Sequence, residues 1–68
     1  MESKFENRIR EIREQKKMTL KQIAEQVEIS VPYLSDIERG NRRGSSATIC
    51  RIAEALGVNP GDLLKRAG

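Results

Sequence analysis

The side chains able to do chemistry in this sequence are thirteen lysines and arginines, ten carboxylates, one cysteine and one tyrosine, with no histidine. Acid–base work near neutral pH rests most often on histidine, and structural zinc usually takes four Cys/His ligands. Cys50 on its own builds neither a disulfide nor a zinc centre. Glu25 and Glu28 stand close in sequence but read as solvated helix-face carboxylates, and no glycine-rich loop is present to cradle a nucleotide. No catalytic constellation, cofactor, metal or small-molecule substrate is therefore expected. What remains is cationic. Residues 39–51 hold four arginines (Arg39, Arg42, Arg43 and Arg51) and no acid, and residues 1–21 hold seven Lys/Arg against four acids. Between them, residues 22–38 hold four acids and no basic side chain. Two basic flanks around an acidic middle, with a net charge of +3, suit phosphate binding drawn from the flanks. The plainer reading is a set of solvated helix faces.

Those residues need a scaffold, and hydrophobic spacing says which. Apolar residues recur at helical intervals five times, and no apolar/polar alternation runs long enough for a strand. Phe5, Ile9 and Ile12 stripe a first helix over about 4–16. Thr19 and Gln22 form a capping box that opens a second, striped by Leu20, Ile23, Ala24 and Val27. Ser30 caps a third, with Pro32 in its first turn, Leu34 and Ile37 inward and Gly40 as its stop. Residues 41–45 make a polar, basic loop. A fourth helix begins near Ser46 on Ile49, Ile52, Ala53 and Leu56, and Gly57 ends it. Asn59 caps a short fifth helix, with Pro60 at its first position and Leu63 and Leu64 facing in. Cys50, inside an apolar stretch, is expected to be a small core residue.

Sixty-eight residues make one domain, 1–68, with no room for a separate effector domain. A domain of this size buries only about 60% of its unfolded surface, so self-association is a natural supplement. Residues 1–17 are dense in charge, with no apolar run like a signal peptide, and nothing approaches the roughly 18 apolar residues of a membrane span. A cytoplasmic protein without a membrane partner is expected.

Helices two and three carry the specific signal. Ala24 is small enough to let the next helix cross closely, a short bend follows at Glu28, and Leu34 and Ile37 lock the third helix against Ile23 and Val27. Such a crossing leaves the third helix with its N-terminal end free to enter a DNA major groove. The stretch MTLKQIAEQVEISVPYLSDIERG over residues 18–40 resembles the phage Cro and repressor family, the Xre-type helix-turn-helix proteins. The run IAEALGVNPGDLL over residues 52–64 resembles that family's fourth and fifth helices. The likeness covers about residues 5–64, and LSDIERG (34–40) with ALGV (55–58) are its most specific pieces. It implies an all-α, compact five-helix, lambda-repressor-like DNA-binding domain with the helix-turn-helix at about 19–39.

The resemblance also implies roles. In the family, base contacts come from the first turn and a half of the third helix, here Val31, Pro32, Ser35 and Asp36. The family often has Gln, Arg, Lys or Thr there, so Val31 and Pro32 depart from it. Val31 can touch a thymine methyl, and Asp36 can accept from cytosine N4 or repel phosphate. Indirect readout of DNA shape would then carry more of the specificity. Phosphate contacts fall on Thr19 and Lys21 at the second helix, on Tyr33, and on Asn41, Arg42 and Arg43 in the loop, with half-buried core as the alternative for Tyr33. Ser35 matches a hydroxyl that bonds phosphate. Arg13 and Glu38 match a largely buried ion pair between helices one and three. Glu28 stands where the family's bend usually has glycine, and a left-handed backbone there costs about 1 kcal/mol.

Relatives pair through the last helices. That makes Ile49, Cys50, Val58, Leu63 and Leu64 candidates for a homodimer interface, with a monomer that buries them all as the alternative. The function so implied is a sequence-specific regulator of transcription, a repressor that binds a pseudo-palindromic site in double-stranded DNA. A protein–protein adaptor or antitoxin with a protein partner is the other reading, favoured by the donor-poor third helix.

Overall fold

The apolar stripes do fold back on one another. In the computed structural model, which describes residues 6–64, the order is α1 (Ile9–Gln15), α2 (Leu20–Val27), α3 (Val31–Arg39), α4 (Ser46–Leu56) and α5 (Pro60–Leu63). Local chemistry sets most of the boundaries. The Thr19 hydroxyl accepts from the Gln22 N–H at 3.0 Å, and Gln22 Oε1 accepts from the Thr19 N–H at 2.8 Å. Ser30 Oγ accepts from the Tyr33 N–H, and Ser45 Oγ from the Thr48 N–H. Asp62 reaches back to accept from the Asn59 N–H ahead of α5. Gly40 and Gly57 end α3 and α4 in the left-handed region, where a side chain would be strained.

The core is one cluster. Ile23, Ala24 and Val27 of α2 meet Leu34 and Ile37 of α3 and Ile52, Ala53 and Leu56 of α4, and Ile9, Ile12 and Leu63 close the ends. Helix α2 packs on both α3 and α4, and α5 packs on α4. Truncating one such buried Ile or Leu to Ala costs about 2–5 kcal/mol, more than a lost cap, so this cluster decides whether α3 is held at all.

Three expectations are corrected. Helix α1 begins at Ile9 rather than near residue 4, because Asn7 and Arg8 are committed elsewhere. The Arg8 N–H donates to the Leu63 carbonyl at 2.7 Å, and Asn7 bridges to Leu64. Asn7 Nδ2 donates to the Ile37 carbonyl at 2.7 Å, while its Oδ1 accepts from the Ile9 N–H. Phe5 lies outside the described residues. Cys50 is exposed, one step round α4 from the buried stripe of Ile52, Ala53 and Leu56. Leu63 is fully buried but Leu64 is 55% exposed, since α5 ends at Leu63 and Leu64 turns extended. No helix among the described residues is long and apolar enough to cross a membrane.

Candidate nucleic-acid interface

The α2–α3 corner is three residues long. Glu28 takes φ 64° and ψ 44°, the left-handed conformation, and closes α2. The Ile29 N–H then donates back to the Ala24 carbonyl at 3.0 Å, and Ser30 caps α3. Ala24 is 2% exposed, a contact that admits little more than a methyl group. Arg51, counted with the basic flank, reaches the Val27 carbonyl at the end of α2 at 3.5 Å.

Helix α3 buries Leu34 and Ile37 and turns its first residues outward. Val31 is 39% exposed and Pro32 is exposed, whereas Tyr33, Ser35 and Asp36 are half-buried. Tyr33 packs against the core cluster, so its ring has a fixed seat. The loop that follows is pinned to α3. The Asp36 carbonyl accepts from the N–H groups of Asn41 (2.9 Å) and Arg42 (3.2 Å). The Arg42 guanidinium lies 5.9 Å from the Tyr33 ring centroid, with Nε 3.5 Å from Asp36 Oδ2. Asn41 and Arg43 are exposed. Gly44, at φ 76°, comes close enough to Ile37 that an added Cβ would stand 3.1 Å from its Cδ1.

The structure thus joins Tyr33, Asp36 and Arg42 into one group. Thr19 and Lys21 lie apart, exposed at the start of α2. The Thr19 oxygen is engaged in the cap, which leaves its hydroxyl hydrogen to donate. Leu20 and Ser35 border an open groove of about 250 Å³ together with Arg10, Arg13, Glu38 and Arg39. Arg39 was counted from sequence only as part of the basic flank, and Arg10 was not singled out. The available signal was the placement of Arg10 one turn before Arg13 on the same helix.

Behind this face, Glu38 receives Arg13. Arg13 Nε donates to Oε2 at 2.7 Å and Nη2 to Oε1 at 3.3 Å, with the side chains 13% and 6% exposed. A third bond runs from Arg13 Nη1 to the Met18 carbonyl at 2.9 Å. The hydrogen bond to Glu38, aided by its charge and opposed by burial, holds the Arg13 guanidinium above its ordinary pKa. The pair ties α1 and the α1–α2 bend to the last turn of α3.

The residues proposed for self-association divide. Leu63 is 0% exposed and belongs to the core, a correction that removes it as a contact for another chain. Ile49 and Val58 are half-buried against the core, while Cys50 and Leu64 are exposed. Ile49, Cys50, Pro60, Leu64 and Arg43 line much of a groove of about 430 Å³.

Comparison with known proteins places this geometry. A helix-turn-helix family model matches residues 9–63. An HTH-type transcriptional regulator, DdrOP3 of Deinococcus deserti, is 45% identical over 58 residues, which are 85% of this chain and 45% of that protein. The control protein C.BamHI of Bacillus amyloliquefaciens is 43% identical over 61 residues, covering 88% of this chain and 75% of its own. Among solved structures, the restriction-modification controller protein C.AhdI of Aeromonas hydrophila superposes with a TM-score of 0.80 at 32% identity, over 84% of this chain and 86% of its own. The chain spans less than half the length of the Deinococcus regulator. With all five helices, the left-handed corner and the capped third helix inside the matched span, the chain belongs to the helix-turn-helix family, in its Cro/repressor or Xre-type branch.

Proposed function

We propose that this chain is the DNA-binding domain of a transcriptional repressor, residues 1–68 forming one domain that acts in the cytoplasm as a homodimer on a pseudo-palindromic site in double-stranded DNA. One observation carries the reading: α3 is fixed from behind by Leu34, Ile37 and Glu38 while its first turn stands exposed beside the basic loop 41–43. In this reading α3 enters the major groove, where Val31, Pro32 and Ser35 meet base edges. Thr19, Lys21, Tyr33, Asn41, Arg42 and Arg43 hold the flanking phosphates. Val31 and Pro32 offer no hydrogen bond, so thymine methyl contact and DNA shape supply much of the discrimination.

The dimer is supported by the groove beside Leu64 and Cys50, which a second copy would cover with its own α4–α5 end. Two recognition helices about 34 Å apart would then meet successive major grooves. The names of the relatives, a transcriptional regulator, a control protein and a restriction-modification controller protein, agree with a regulatory role.

Selection of bound duplexes from a random pool, followed by titration of the winner over a salt series, tests the reading. A two-fold symmetric consensus and an affinity falling steeply with salt are expected. Weak binding without sequence preference would shift the function to a protein adaptor or antitoxin, the use that the exposed, donor-poor Val31–Pro32 turn favours.

A further inference from the structure

An acid in the middle of a DNA-facing helix needs a reason, and Asp36 has one in its neighbours. We propose that Asp36 is a positioning residue: together with Tyr33 it holds the Arg42 guanidinium ready for a DNA phosphate. This rests on the DNA-binding reading above.

Tyr33 and Asp36 are three residues apart on α3 and therefore share a face. Arg42 closes on both, its Cζ 5.9 Å from the Tyr33 ring centroid and its Nε 3.5 Å from the Asp36 carboxylate. The same Asp36 anchors the Arg42 main chain through its carbonyl at 3.2 Å. One residue thus fixes both the backbone and the side chain of the loop cation. The ion pair runs through Nε, so the two terminal nitrogens of the fork remain for a phosphate. An arginine free in a loop surrenders its rotamer freedom when it binds, whereas one already seated on a ring and a carboxylate surrenders less. The carboxylate is 41% exposed and the guanidinium 64%, so the hold is weak enough to adjust as DNA arrives.

The sign of one substitution separates this from its rivals. A carboxylate that only repels phosphate weakens binding, and its removal tightens it. A carboxylate that reads cytosine matters at a single base position. A positioning carboxylate supports affinity through Arg42 alone. The experiment is a double-mutant cycle on the full chain with Asp36→Asn and Arg42→Ala, titrated against the selected duplex and a mixed-sequence duplex of about two helical turns. Asp36→Asn is expected to lower affinity for both duplexes by up to about five-fold and to have no effect once Arg42 is alanine. Asp36→Glu is expected to restore part of the loss, with circular dichroism and melting of every variant checking that the fold is kept. Tighter binding by Asp36→Asn overturns the proposal, as does a loss confined to one base position that persists in Arg42→Ala. Absence of binding by the unaltered chain overturns both this proposal and the reading beneath it.

Discussion

Glu38 spends both carboxylate oxygens on Arg13 at 6% exposure, and that makes it vulnerable at the scale of a single residue. Glu38→Ala would leave a guanidinium largely out of water with one carbonyl for company. A loss of about 3 kcal/mol in unfolding free energy is expected from urea titration, since breaking one side of a buried pair costs about 3–5. A loss below about 1 kcal/mol would show that the pair behaves as a surface bridge. The likeness to a known family, not the spacing of residues 13 and 38, made this pair legible. The long-range role of Asn7 was not legible. Beyond the local bond to the Ile9 N–H, Asn7 meets the carbonyl of Ile37 and pairs with Leu64, and only the finished fold brings these together.

At the scale of elements, the boundaries set by neighbours in sequence could be read. Thr19 with Gln22, Ser30, Gly40 and Gly57 all act within a turn of where they stand. The start of α1 could not, because a long-range strand-like pairing with the end of α5 competes with helix there. Cys50 misled for a related reason: an apolar neighbourhood in sequence is not a face on a helix. The α2–α3 corner offers a direct test. Glu28 holds φ 64° without being glycine, and its strain should be removable. Glu28→Gly is expected to raise thermal stability by about 1 kcal/mol or slightly less, the left-handed penalty reduced by glycine's greater unfolded entropy. A lower melting temperature for this variant would mean that the Glu28 side chain contributes more than its backbone costs.

For the whole molecule, the question is whether the exposed apolar end is covered. Leu64 is 55% exposed beside a groove that Ile49 and Cys50 help to line. The sequence marked Leu64 both as inward-facing and as an interface candidate, and periodicity has no means of choosing at the end of a four-residue helix. If a second copy seats there, sedimentation of the unaltered chain gives twice the monomer mass, and Leu64→Glu returns it to the monomer with its helical signal intact. Unchanged mass in Leu64→Glu would place the dimer contact elsewhere or remove it. The main architecture was legible because five amphipathic stripes with short connections leave few ways to bury themselves.

The hydrogen bond from Arg8 to Leu63 makes the described chain a closed loop rather than a string with two ends. Loop-closure entropy grows with the logarithm of the enclosed length, so this contact and the neighbouring Asn7–Leu64 pairing are the costliest of their kind among the described residues. The entry to α1 and the end of α5 therefore share a fate: when one frays, the other loses one of its tethers.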